Sequence, residues 1–161
     1  MLQQLARQLF FTANGNTPAF SLDEENNDEV WFAIDTDRWN ENNKINLLRV
    51  FCTQHVGFYV AQSNPCFEIW LYYHQHAVKP RHEEVITYTT FKEYVAKAVK
   101  GGFDSRKMPV ALENAICNSE ANYVIENDQP ILYTTEVHKL GNVILPFVKN
   151  QLLKAKKMGL I

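Results

Sequence analysis

A chain of 161 residues fits one domain, residues 1–161, and is long enough to bury a real core. Its 18 acidic and 16 basic side chains leave a net charge of −2, and no apolar run approaches the length of a bilayer-crossing helix, which argues against a membrane protein. The opening "MLQQLARQLFF" lacks the uninterrupted apolar core and small-residue cleavage site of a signal peptide, and Cys52, Cys66 and Cys117 form no CxxC zinc pattern. Odd in number and set among apolar neighbours, they read as reduced core residues of a cytoplasmic protein.

Leu2, Leu5, Leu9 and Phe10 recur at helical spacing and predict a helix over residues 2–12. The polar stretch "TANGNTPAFSLDEENNDE" follows as a connection, broken by Gly15 and Pro18. "EVWFAI" is continuous and partly β-branched, as expected of a strand covered on both faces. Asn42 or Asn43 would cap a helix carrying Ile45, Leu48, Phe51 and Cys52, which ends near Gly57. "GFYVAQ" reads as a second strand turning at "SNP", with Ser63 or Asn64 as helix cap and Pro65 at the first helical position. The helix "PCFEIWLYYHQH" is apolar enough to belong in the core.

After "VKPRHEE" the pattern is all-helical. One helix begins at Thr89 or Thr90 and stops at Gly101-Gly102; another spans about Lys107 to Glu126. The last starts near Thr135 on Val137, Leu140, Val143, Ile144, Phe147, Leu152 and Leu153, with Pro146 expected to kink it. There is no internal repeat and no linker for a second domain. The order predicts an α/β fold: a small parallel sheet with flanking helices and a helical C-terminal half.

Chemistry concentrates at strand ends. Asp35 and Asp37 close the first strand, where open α/β sheets bind their ligands, and i, i+2 carboxylates of an extended segment point the same way. Glu68 falls in the first turn of the helix after the second strand, flanked by Phe67, Ile69, Trp70 and Leu71, and would be costly to bury unpaired. The three acids could form one carboxylate cluster for a hard cation such as Mg²⁺, placed to polarise a phosphoryl oxygen or generate hydroxide. A solvated acidic turn is the competing reading. From Asp23 to Glu41 acids dominate, whereas bases gather from Lys92 onward (Lys97, Lys100, Arg106, Lys107, Lys149, Lys154, Lys156, Lys157). That distribution suits a metal site handling a polyanion, or simply solvated helix faces.

"DEVWFAIDTDRW", "SNPCFEIWLYYH" and "TTEVHKL" together resemble, in order and spacing, the RloB family of AbiLii-type abortive-infection proteins, from about Asp28 to the end of the chain. The resemblance implies a Toprim-like, Rossmannoid fold, metal-dependent nuclease activity using Mg²⁺ or Mn²⁺, a part in bacterial anti-phage defence, and an ATPase partner protein. It makes Asp35 and Asp37 the Toprim aspartate pair and puts Glu68, Asn64 and His138 on recurrent motif positions. Family members open with a strand ending in "GEKTE"-like residues whose Glu serves the site. No such stretch occurs here, so the sequence looks N-terminally truncated, and the exposed sheet edge would invite pairing with another chain, a homo-oligomer included.

The expected activity is therefore phosphodiester hydrolysis on DNA or RNA, tRNA among them, with Asp35, Asp37 and Glu68 as catalytic and metal-binding carboxylates. Arg38, Asn64 and His138 are candidate substrate-binding residues. Arg38 could hold a phosphate or merely neutralise the acids; His138 could act as general acid or merely hydrogen-bond at its helix start. The alternative is a catalytically incomplete subunit that works by association with the ATPase. A D-x-D nucleotide-sugar transferase is a third reading, disfavoured by the short chain. His74 and His76 diverge by about 200° on a helix and, with His82, read as surface histidines. Trp70, Tyr72 and Tyr73 read as core, with base stacking the alternative. No Gly-rich phosphate loop appears, so ATP hydrolysis would fall to the partner.

Overall fold

The computed structural model describes residues 2–11, 17–23, 25–99 and 111–159. The chain divides into two compact units, Met1–Phe32 with Arg38–Val60, and Ala33–Asp37 with Ala61–Ile161. Two strands, β1 (Val30–Asp35) and β2 (Phe58–Asn64), contribute residues to each.

The first unit is built on aromatic packing. Helix α1 (Leu2–Phe10) is amphipathic as its leucine spacing demands, and Gln3 donates to the Leu47 carbonyl of α3 (Lys44–Thr53). All four predicted core positions of α3, Ile45, Leu48, Phe51 and Cys52, are buried. Phe58, at the start of β2, is the hub: Phe10 meets it edge-on at 5.4 Å, Phe11 stacks at 5.6 Å and Phe51 packs edge-on at 5.9 Å between ring centres. Such pairs add about 0.5–1.5 kcal/mol each beyond the area they bury. Gly57 precedes the hub at φ 80°, and a Cβ there would stand 2.9 Å from the Asp28 carbonyl. The turn into β2 thus requires glycine on two counts.

Among the described residues β1 lies at one end of the three-stranded sheet, in the order β1-β2-β5. Its end position corrects the expectation of a strand covered on both faces: Ile34 is buried, while Ala33 is exposed. The third strand, β5 (Thr134–Thr135), runs antiparallel to β2 and pairs Ser63 with Thr135 and Asn64 with Thr134. The sheet is therefore not wholly parallel. This pairing also corrects the predicted helix cap, because Ser63 and Asn64 are held in the ladder. The Asn64-Pro65 peptide is cis, and α4 (Glu68–Tyr73) begins only at Glu68.

In the second unit α4 lies in the core as its composition predicts, with Ile69, Trp70, Tyr72 and Tyr73 buried. Ile69, Tyr72 and Tyr73 pack with Val85 of α5 (His82–Val85), Tyr94 and Val95 of α6 (Phe91–Ala98), Val99 and Tyr133. Thr90 caps α6 by accepting the Glu93 N–H at 3.1 Å, and Glu93 reaches back to the Thr89 N–H. The chain leaves helical geometry at Val99; the predicted Gly101-Gly102 stop and the start of the next helix at Lys107 lie outside the described residues.

Helix α7 (Leu112–Asn122) ends earlier than predicted. Residues through Glu126 enter a hairpin instead: β3 (Ile125–Glu126) and β4 (Gln129–Pro130) are joined by Asn127 and Asp128, both at positive φ. That is the primed two-residue turn that Asn and Asp favour. Helix α8 (Val137–Lys157) follows β5 and contains Pro146. With 21 residues against 11 it is about 31 Å long and α7 about 16 Å. Val143, Ile144, Phe147 and Leu153, among the apolar positions by which the sequence marks this helix, are exposed.

Buried chemistry departs from the sequence in two further places. His74, expected at the surface, is buried one turn beyond Trp70, and its Nδ1 lies 3.0 Å from the Trp70 carbonyl oxygen. Burial lowers its pKa below the ordinary value. Cys52 and Cys66 are buried free thiols as predicted, but Cys117 is exposed on α7.

Helices α4, α7 and α8 close around Gly141, where a Cβ would meet Ile116 Cγ1 at 2.8 Å and Trp70 at 3.3 Å. Alanine there gains about 1 kcal/mol of helix propensity against about 1–3 kcal/mol of overpacking. Gly141→Ala is expected to lower the urea midpoint. An unchanged or raised midpoint for the variant would show that the close approach is not limiting.

Candidate functional site

The turn from β1 into α2 (Thr36–Trp39) carries both acids of the D-x-D pair, and four hydrogen bonds pin it to the end of β2. Gln62, fully buried, donates from Nε2 to Thr36 Oγ1 at 2.8 Å; Thr36 in turn donates to the Ser63 carbonyl at 2.9 Å. The Asp37 N–H donates to the Pro65 carbonyl at 3.1 Å, and the Phe67 N–H donates to Asp35 Oδ1 at 2.8 Å. Apolar strand residues fix β1 and β2, while the polar Thr between the acids supplies the tether.

This frame brings the predicted acids into one electrostatic group. Burial raises the Asp35 pKa above its ordinary 3.8; the Phe67 N–H opposes that, the Asp37 and Glu68 charges raise it further, and Lys92 lowers it. Asp37 itself is exposed. Glu68, at the first position of α4, has 24 % of its side chain exposed and places Oε1 3.3 Å from Lys92 Nζ. Its Oε2 is buried with no hydrogen-bond partner. Beside it the Cys66 thiol is pushed far up by burial and by its hydrogen bond to the Glu68 carboxylate, so it is no nucleophile.

The other predicted residues have structural partners. Asn64 donates from Nδ2 to the Pro130 carbonyl at 2.8 Å, bracing β2 against the hairpin. His138 is buried, with Nδ1 2.8 Å from the Thr135 carbonyl oxygen and 3.2 Å from Ser119 Oγ. Burial lowers its pKa, holding it neutral at pH 7. Arg38 belongs to α2, and its side chain lies outside the described residues. His76 bonds to the Ala98 carbonyl and His82 to the Tyr133 hydroxyl; among the described residues no group of three or more His, Cys, Asp or Glu is spaced to hold a metal ion by itself.

Three participants escaped the sequence reading. Lys92 sits on α6, far along the chain from the acids, and no spacing rule connects them. Gln62 reads as an ordinary inward strand residue. Glu136, 2 % exposed, accepts the Gln62 N–H at 3.1 Å, the Tyr123 hydroxyl at 2.8 Å and Lys139 Nζ at 2.8 Å. A buried carboxylate is tolerable because each oxygen has donors and Lys139 balances the charge. Only the position of Glu136 just before α8 hinted at it.

A family model described as RloB-like protein matches residues 3–143. No curated protein matches the chain, and no solved structure does.

The raised Asp35 pKa carries a stability cost with a definite sign. Below about pH 3.8 the carboxyl is protonated folded and unfolded; as pH rises from there through the raised folded value, the unfolded carboxyl ionises freely while the folded one carries its charge against burial and two like charges, so stability falls. Asp35→Asn keeps an oxygen for the Phe67 N–H and removes that cost. Its thermal midpoint is expected to exceed that of the unchanged protein at pH 7, with the gain shrinking toward pH 3. A variant less stable than the unchanged protein at pH 7 would contradict the electrostatic account.

Proposed function

This chain belongs to the RloB-like protein family, and on that premise we propose that it is a metal-dependent nuclease with a Toprim-like site, working in bacterial anti-phage defence. The observation that carries the reading is the carboxylate group at the end of β1 and the start of α4: Asp35 made costly to ionise by burial and then by the Asp37 and Glu68 charges, with Glu68 Oε2 buried and without a hydrogen-bond partner. A hard divalent cation at these acids would relieve that cost.

The donor set fits such an ion. Mg²⁺ and Mn²⁺ are commonly held by one or two carboxylates, with waters and substrate phosphates completing the shell, so a closed protein cage is not required. Asp35, Asp37 and Glu68 would hold it, and when bound it would supply Lewis acidity at a phosphoryl oxygen and a water of lowered pKa. The chain's own contribution is positional. The Phe67 N–H fixes Asp35 Oδ1, and the Gln62–Thr36 tether fixes the turn. Substrate would be DNA or RNA, tRNA included, with Arg38 the adjacent base in sequence. Asn64 and His138, engaged in the frame, would act on substrate only through the positions they brace.

A second reading draws on a different observation. The three acids are not spaced as a ready-made ligand set and Lys92 already pairs with Glu68, which favours a catalytically incomplete subunit acting through an ATPase partner, or as a homo-oligomer through β1. Co-purification with an ATPase and a defined oligomer by sedimentation would support it.

The test is incubation of the purified protein with supercoiled DNA, single-stranded DNA, RNA and tRNA in Mn²⁺. The nuclease reading expects cleavage, abolished by chelation and reduced roughly 100-fold or more in Asp35→Ala, since several kcal/mol of charge stabilisation is at stake. Absence of cleavage on every substrate, with Asp35→Ala indistinguishable from the unchanged protein, leaves the subunit reading in its place.

A further inference from the structure

Lys92 is the base that the fold brings to the candidate carboxylates. Other lysines among the described residues have their own partners: Lys97 lies by Glu93 and over the Tyr88 ring, Lys139 is held by Glu136, and Lys44 sits by Glu41. Lys92 stands at the second position of α6, and the Thr90–Glu93 cap fixes where that helix starts. Its ammonium is 3.3 Å from Glu68 Oε1, on a side chain 52 % exposed. A pair with that much solvent is weak and exchanges readily. It also leaves Glu68 incompletely served, since Oε2 is buried without a partner. The carboxylate therefore has an unmet demand that an incoming cation fills better than the ammonium does. The ammonium, once displaced, remains tethered beside the site with three free donors and a positive charge.

We propose that Lys92 is a phosphate-binding residue of this site, paired with Glu68 when no divalent cation is present and turned to a substrate phosphate oxygen when one is. The proposal rests on the nuclease reading and adds the residue that grips the substrate. It makes Lys92 a competitor of the cation and a helper of the nucleic acid, two effects of opposite sign that a merely structural ion pair does not produce.

The experiment compares the unchanged protein with Lys92→Met and Lys92→Arg. Mn²⁺ binding is measured by calorimetry without nucleic acid, and binding of fluorescein-labelled DNA and RNA oligonucleotides by anisotropy in Ca²⁺ across a salt series. Lys92→Met is expected to bind Mn²⁺ up to roughly fivefold more tightly, the inverse of losing one exposed ion pair. The same variant should bind the oligonucleotide more weakly, with the slope of log affinity against log salt reduced by about 0.7–0.9. Lys92→Arg should retain the slope. If the unchanged protein binds Mn²⁺ and oligonucleotide while Lys92→Met leaves both isotherms unchanged, or loses Mn²⁺ affinity, the Lys92 proposal is overturned and the nuclease reading stands. If the unchanged protein binds neither probe, the nuclease reading falls and takes this proposal with it.

Discussion

Everything at the candidate site depends on Gln62. Its main chain exchanges hydrogen bonds with Glu136, donating its N–H to the carboxylate at 3.1 Å and accepting the Glu136 N–H at 2.8 Å, while its side chain reaches Thr36. One fully buried residue thus joins the start of α8 to the turn between the two aspartates. A buried amide is costly unless its donors and acceptors are engaged, so the residue is held as firmly as it holds others. Glu136 would be prohibitive on its own in that interior; Lys139 and the Tyr123 hydroxyl make it a fixed anchor.

The frame sets up an imbalance that the protein does not resolve internally. Burial and two like charges oppose ionisation of Asp35, and among the described side chains the half-exposed Lys92 ammonium is the cation that answers them. A chain selected only for stability would replace one acid with an amide. Charge held at a cost in stability is a common feature of functional sites. Cys66 fits the same logic from the other side: buried under Glu68 with its thiol pushed up, it fills space and does no chemistry.

How much of this the sequence could show depended on how local the cause was. The α3 core positions, the strand ending on Asp35, the apolar α4 and the Thr90 cap all follow from period, propensity or a short motif, and each is where the residues put it. The meeting of Asp35 with Glu68 was legible too, because both lie where a strand ends in an α/β order. Pairings between distant segments were not. Two threonines gave no sign that β5 would run antiparallel to β2, so Ser63 and Asn64 looked like a helix cap. The helix predicted to run to Glu126 ends at Asn122, where the chain turns toward the hairpin. The Asn127-Asp128 turn was the local signal that should have ended it. His74 failed for a simpler reason: a carbonyl one turn back can satisfy an imbedded imidazole, and residue type alone does not reveal it.

The ladder at the end of β2 also governs how this fold can change length. Gln62, Ser63 and Asn64 each have a different partner in a period-2 strand, bonding in turn to Glu136 and Thr36, to Thr135, and to Pro130. A single residue inserted or deleted in β2 just before Gln62 would turn every one of these side chains to the opposite face at once. The hairpin tip at Asn127-Asp128, exposed and bonded to little else, carries no such lock. Insertions and deletions among descendants of this sequence should therefore collect at the tip, while the segment that frames the acids diverges by substitution alone.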